Sequence, residues 1–264
     1  MQWERLTATS FKQAVQDTGV CVLPLGVIEK HSEHLPLGTD CFISHRISCL
    51  AAEQEPAVVY PSFFFGQIYE ASCFPGTVTI RPQLLFDLLV EVLDNIGRNG
   101  FKKIVLYNGH GGNNHLVGFL AQCSLWQQKP YELYIPMRRL TDEGQQEWDA
   151  MAEAPYGGHA GEYETALMLG LCPDLVKMER LPEQPARPRG RLKDTPDTYN
   201  GIWWYGDYPE HYAGDGSKAN ESKGQRLVTL SVEYLAQYIG MVKADTVIPA
   251  LTEEFFERAR RISE

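Results

Sequence analysis

The chain has 264 residues, 44% of them hydrophobic and 11% aromatic, enough for one large α/β domain spanning residues 1–264 with a well-filled core. Its formal charge is −10, from 34 acidic and 24 basic residues with no basic run, so duplex nucleic acid and anionic membrane are poor partners, because gripping phosphates needs clustered Lys and Arg. No apolar run approaches the roughly 20 residues of a membrane span, the N-terminus lacks the basic-then-apolar order of a signal peptide, and the six cysteines (Cys21, Cys41, Cys49, Cys73, Cys123, Cys172) form no C-x-x-C pair, so a cytoplasmic chain with reduced thiols is expected.

In chain order, residues 20–25 (Val-Cys-Val-Leu-Pro-Leu) read as a buried strand, and residues 40–52 as a helix. Residues 57–60 are a second strand. From Pro82 to Asn99, apolar residues at Leu84, Leu85, Leu88, Leu89, Val92, Leu93 and Ile96 mark one face of a helix begun by proline. Residues 103–107 and 131–135 are further strands, and 114–126 a further helix. A long helix is expected over 220–242 and a terminal one over 251–262. Short apolar runs alternating with helical patterns predict β/α units around a mostly parallel sheet. The stretch 181–218 breaks the rhythm, with Pro, Arg, Gly and Asp ahead of Trp203-Trp204-Tyr205. It reads as an excursion that covers a site or forms a subunit contact, or as a local aromatic core.

Three short segments concentrate imidazoles and carboxylates, the ligands of hydrolytic divalent metals. The densest is Glu29-Lys-His31-Ser-Glu33-His34, followed by Leu-Pro-Leu-Gly-Thr-Asp40. Glu29 and His31 are two apart, so in extended chain they point to the same side. Asp40 has two carboxylate lobes that can bridge cations about 3.5–4 Å apart. The second segment is Asn108-Gly-His110-Gly-Gly-Asn113. Both follow the carboxyl end of a predicted strand, the edge where open α/β sheets bind ligands, so both should face one crevice. A phosphate cradle at the second is disfavoured, since Gly-Lys-Ser/Thr is lacking. The third, His159-Ala-Gly-Glu162-Tyr-Glu164-Thr165, opens a helix. There Glu162 and Glu164 lie about 200° apart, so one is a ligand candidate and the other is expected to meet solvent. Spacing does not choose between them. No G-x-S-x-G elbow exists, and no cysteine sits beside a histidine, so nucleophilic catalysis has little support.

These segments, with Phe74-Pro-Gly-Thr77 and more weakly Gly214-Asp-Gly-Ser-Lys-Ala219, run in order from about residue 20 to 225. Together they resemble the creatininase (creatinine amidohydrolase) family. The resemblance implies a three-layer α/β/α sandwich and a pair of divalent ions, usually zinc, manganese or iron, serving the hydrolysis of cyclic or linear amides. It also implies a homo-oligomer, often a hexamer. By similarity, Glu29, Asp40 and His110 hold one ion, and His31, Asp40 and a further carboxylate the other. In creatinine-cleaving members that carboxylate lies two residues past the strand-motif histidine, where this chain has Gly112. The resemblance therefore implies Glu164 in its place. A metal-assisted amide hydrolysis is then expected to use His159 as proton donor to the departing nitrogen, Glu164 as first candidate for a proton shuttle, and backbone N–H groups around Gly111 and Gly112 as oxyanion support. Gly111, Pro155, residues 69–73 and Glu33 also depart from the creatinine-cleaving pattern, which puts creatinine in doubt as substrate. A formamide deformylase, a peptide-trimming enzyme, or a protein that binds a metal or small molecule without catalysis are the alternatives.

Overall fold

The computed structural model describes residues 1–154, 158–195 and 197–262. Four strands, β1 (Val20–Leu25), β2 (Val58–Val59), β3 (Lys103–Asn108) and β4 (Glu132–Tyr134), form an all-parallel sheet in the order β2-β1-β3-β4. β1 is buried along its whole length because helices cover both faces, which is why its sequence is a continuous apolar run.

Side chains alternate across the pleat. Cys21, Leu23 and Leu25 of β1, with Ile104 and Leu106 of β3, face α1 (Ala8–Thr18), α3 (Pro82–Arg98) and α4 (Asn114–Cys123). Val20, Val22, Val105 and Tyr107 face α2 (Thr39–Gln54), α6 (Glu162–Leu171) and α8 (Glu221–Ala244). Leu85, Leu89, Leu93 and Ile96 supply the buried stripe of α3. Burying each such side chain contributes roughly 1.5–3 kcal/mol.

Helix ends follow local chemistry. The Thr7 side chain accepts the Ser10 N–H ahead of α1, and Gly19 closes that helix in the left-handed region at φ 66°. Asn220 caps α8 by accepting the Lys223 N–H. The structure departs from the sequence expectations at several edges. β2 keeps only two ladder residues, α4 stops at Cys123, and the terminal helix α9 (Val247–Arg261) starts earlier than 251. α1 and α5 (Asp142–Met151) were not anticipated, and a short helix α7 (Trp203–Asp207) lies inside the 181–218 excursion. Among the described residues no helix is long and apolar enough to cross a membrane.

Two close approaches connect the sheet to the polar segments. A Cβ on Gly26, just past β1, would fall 2.7 Å from the Cys41 nitrogen, and one on Gly109, just past β3, would fall 2.8 Å from the Asp40 carbonyl oxygen. Only hydrogen fits there. The first turn of α2 therefore rests directly on both strand ends, carrying Asp40 to the crevice.

Candidate metal centre

Glu29, His31, Asp40 and His110 converge at that crevice, all of them at most 7% exposed. Asp40 lies in the first turn of α2, where the helix dipole favours a carboxylate. His110 Nδ1 lies 2.8 Å from Glu29 Oε1 and 3.2 Å from Asp40 Oδ2. His31 Nε2 lies 3.3 Å from Asp40 Oδ1, 3.8 Å from Glu164 Oε2 and 3.9 Å from Glu29 Oε1. Two groups of potential ligand atoms share Asp40: Glu29, Asp40 and His110, and His31, Asp40 and Glu164, each within 4.8 Å. A third such group is Glu29, His31 and His159.

The hydrogen bonds around this cluster define what can fill it. His110 Nε2 is 3.1 Å from the Gln67 carbonyl and His31 Nδ1 is 3.2 Å from the Glu29 carbonyl, so each donates its ring N–H outward. The opposite ring nitrogens then present lone pairs to carboxylate oxygens, an arrangement that repels unless a cation or a proton sits between them. Glu29 Oε1, His31 Nε2 and Asp40 Oδ2 are buried without an aligned hydrogen-bond partner. Leaving such atoms unsatisfied costs about 1–3 kcal/mol each. A set of imidazoles and carboxylates with orphaned atoms converging on one point fits divalent cations.

The same proximity shifts the titrations. Burial alone would lower His31, but the charges of Asp40, Glu29 and Glu164 push it up to about 9. His110 is likewise raised well above the usual imidazole range, Glu29 and Asp40 outweighing burial. Glu29 is held well below the carboxylate range, because His110 and His159, with hydrogen bonds from His110 and His211, overcome its burial. Glu164 goes the other way: burial raises it and the Asp40 charge adds to that, against His31. His159 falls to about 3 through burial and through the charges of His31 and His211, against Glu29. Its Nε2 sits 2.6 Å from the Lys30 carbonyl, so it is a neutral ring with that N–H already engaged. Both His159 and Glu164, the residues expected to move a proton, line the cavity.

Gly112 stands where a side chain cannot. A Cβ there would be 2.4 Å from His110 Nε2 and 3.0 Å from the Gln67 carbonyl, so this backbone excludes a carboxylate at that position. Glu164 approaches instead from the start of α6, its Oε2 accepting the Ala160 N–H at 2.6 Å. The expectation that the other acid meets solvent is corrected. Glu162 is 3% exposed, and its carboxylate accepts the Glu153 and Ala154 N–H groups and pairs with Lys223 Nζ at 2.6 Å. The chain before α6 folds back over the helix start, which gives the second acid a buried polar seat of its own.

One residue was missed altogether. His211 lies 182 positions from Glu29, and its Nε2 is 2.6 Å from Glu29 Oε2. Nothing local in the sequence signals it; the Trp204-x-x-x-x-x-x-His211 spacing is meaningful only once folded. Ser32, Ala160 and His211 all adopt positive φ, from 54° to 57°, and flank the cluster. Such backbone is costly for residues with a Cβ and persists where surrounding contacts hold it.

Above the cluster opens a cavity of about 440 Å³, walled by Gln67, Glu70, Gly111, His115, Tyr199, Asn200, Trp203 and Trp204, with Glu29, His110, His159, Glu164 and His211 towards its floor. The 181–218 excursion thus covers the site, and its aromatics also pack on one another, Trp204 lying 5.4 Å from Trp203 and 4.8 Å from Tyr208. Pro155 lies outside the described residues. Among the described residues no Lys or Arg lines the cavity. A thiol does meet an imidazole in space, Cys49 Sγ lying 3.8 Å from His45 Nε2. Burial raises that thiol, with Glu4 adding to the shift, and neither residue lines the cavity, so it is no nucleophile for this site.

A family profile described as creatinine amidohydrolase (creatininase) matches residues 4–239. The 3-dehydro-scyllo-inosose hydrolase of Thermotoga maritima is 24% identical, over 90% of this chain and 82% of that protein. The mycofactocin precursor peptide peptidase of Mycolicibacterium smegmatis is 32% identical, over 66% of each. The crystal structure of a creatinine amidohydrolase superposes with a TM-score of 0.75 at 22% identity, covering 93% of this chain and 98% of that one, which shows the fold. Related creatininase structures are described as a manganese form and as a Zn–Zn type.

Proposed function

We propose that this chain, which belongs to the creatininase family of hydrolases, is a two-cation amidohydrolase that cleaves the C–N bond of a neutral or positively charged amide. The observation that carries the reading is the convergence of Glu29 Oε1, His31 Nε2 and Asp40 Oδ2, buried and unpartnered, on one point beneath an open cavity. Glu29, Asp40 and His110 would hold one cation, and His31, Asp40 and Glu164 the other. Bound there, the cations would supply a water whose pKa falls to about 7 and positive charge beside the amide oxygen.

The protein's own groups do the rest. Asp40 belongs to both ligand groups and fixes their spacing. Glu164 lines the cavity, and its carboxylate would take up the proton shed by the attacking water and pass it to the departing nitrogen. His159 keeps its Nε2–H on the Lys30 carbonyl and packs against His31, with ring centroids 4.2 Å apart, so it orients the floor. The backbone N–H groups of Gly111 and Gly112 border the same space and can stabilise a developing oxyanion. Glu70, with aromatic rings near it and no Lys or Arg among the described lining residues, favours substrates without negative charge at that rim.

The test is a panel of amides, lactams, formamides and short peptides, matched in size and differing in charge. It is run on stripped protein with manganese, zinc or iron(II) restored. Turnover that needs a restored cation and falls off for anionic members is expected. A protein that takes up two cations and hydrolyses nothing in the panel would leave the binding-protein alternative standing. The peptide-trimming relative makes peptides the second reading, since the cavity is open enough for a chain end.

A further inference from the structure

Trp204 belongs to the wall of the cavity and Glu29 to its floor, and His211 stands between them. The indole Nε1 of Trp204 lies 3.1 Å from His211 Nδ1. An indole nitrogen can only donate, so Nδ1 accepts, and the proton of the neutral imidazole is on Nε2. That Nε2–H donates to Glu29 Oε2 at 2.6 Å. Donation therefore runs one way, from indole to imidazole to carboxylate.

The ring that makes this link has little freedom. His211 is 2% exposed and lies between His159, at 4.4 Å between centroids, and Phe74, at 5.5 Å. Its carbonyl accepts the Ser32 N–H at 3.4 Å, and its φ is 54°, a conformation a bulky residue keeps only when several contacts demand it. With Oε2 of Glu29 occupied by His211, Oε1 is the oxygen left to face His110 and the ligand cluster.

We propose that His211 and Trp204 are positioning residues that fix which oxygen of Glu29 faces the cations, and that they couple the cavity wall to cation affinity. The proposal rests on the cation-binding reading above. Coupling of this kind is reciprocal: a ligand that holds Trp204 in place tightens cation binding, and bound cations tighten the ligand by the same factor.

The experiment measures zinc and manganese affinity by chelator competition in the full chain and in His211→Ala, His211→Gln and Trp204→Phe. Ring-nitrogen NMR spectra of 15N-histidine-labelled protein accompany it. His211→Ala should weaken cation binding about 10- to 100-fold, the usual cost of losing a partner behind a metal ligand. His211→Gln, whose amide can accept from Trp204 and donate to Glu29, should return to within about threefold of wild type. Trp204→Phe keeps an aromatic ring but removes the N–H. It should weaken binding about two- to tenfold and shift the His211 ring signals away from the pure Nε2–H tautomer. Wild-type affinity in His211→Ala, or an unchanged His211 spectrum in Trp204→Phe, overturns the coupling while leaving the amidohydrolase reading intact. A wild-type chain that binds no cation overturns both.

Discussion

The floor and the wall of the cavity differ in how they are held. Glu29, His31, Asp40 and His110 are no more than 7% exposed and sit on the ends of β1 and β3 or the first turn of α2, with glycines letting backbone meet backbone beneath them. Tyr199 is 86% exposed and Trp203 54%, on a stretch with the short helix α7, a 3-10 turn at Gly216–Lys218 and long irregular segments among its described residues. The first arrangement fixes atoms for chemistry. The second presents exposed surface, and the relatives of this chain carry names as different as a 3-dehydro-scyllo-inosose hydrolase, a creatinine amidohydrolase and a mycofactocin precursor peptide peptidase. The lesson is that family membership speaks for the floor, while substrate must be argued from the wall.

The largest effect should come from breaking the floor at its shared residue. Asp40→Ala should lose both cations and more than roughly 100-fold in turnover, exceeding what even outer partners of ligands cost. Elemental analysis and single-turnover assays check it. A variant that keeps both ions and its rate would remove Asp40 from the bridging position.

Next is a pair one residue apart. Gly112→Ala forces a Cβ to 2.4 Å from His110 Nε2 and should cost about 1–3 kcal/mol of stability together with weaker cation binding. Gly111→Ala meets nothing within 4 Å and should stay within about 0.5 kcal/mol of wild type. Chemical denaturation of both, side by side, separates a crowded floor from an open wall.

A proton count sharpens the floor further. His31 is raised to about 9 in the cluster without cations, so at pH 7 its ring carries a proton that a cation must displace. Cation uptake at pH 7 should release about one proton or more, and release should fall as pH rises past about 9. Affinity accordingly declines with acidification. Calorimetry in buffers of differing ionisation enthalpy measures it, and buffer-independent heats would contradict the assigned ring.

The smallest effect belongs to the wall. Trp203→Ala should leave cation content unchanged and raise KM for a cationic amide about two- to fivefold, the worth of an exposed ring–cation contact. An equal rise for a matched neutral amide would point to lost packing rather than charge recognition.

How much of this was legible beforehand follows from range of interaction. The strands were visible because burial on both faces demands unbroken apolar runs, and α3 because Leu85, Leu89 and Leu93 repeat on one face. α1 escaped because its apolar stripe is short, although Thr7 and Gly19 mark both its ends. α5 has a comparable signature in Thr141, whose side chain accepts the Gly144 N–H, followed by Asp142 and Glu143. The clusters around Glu29 and His110 could be placed at one sheet edge from strand order. The choice between Glu162 and Glu164 could not, because both lie in the first turn of α6 and only the fold decides that Glu162 is buried on Lys223 while Glu164 reaches His31. His211 was invisible for the same reason, its role resting on one contact across 182 positions.

The two glycines beneath Asp40 have a practical corollary. With no room for a methyl group at Gly26 or Gly109, the start of α2 cannot slide along the sheet edge without collision, so directed evolution has little to explore there. Randomising Tyr199 and Asn200, which belong to no ligand group, leaves that anchored rim untouched. Libraries confined to those two positions should yield altered selectivity at undiminished metal loading.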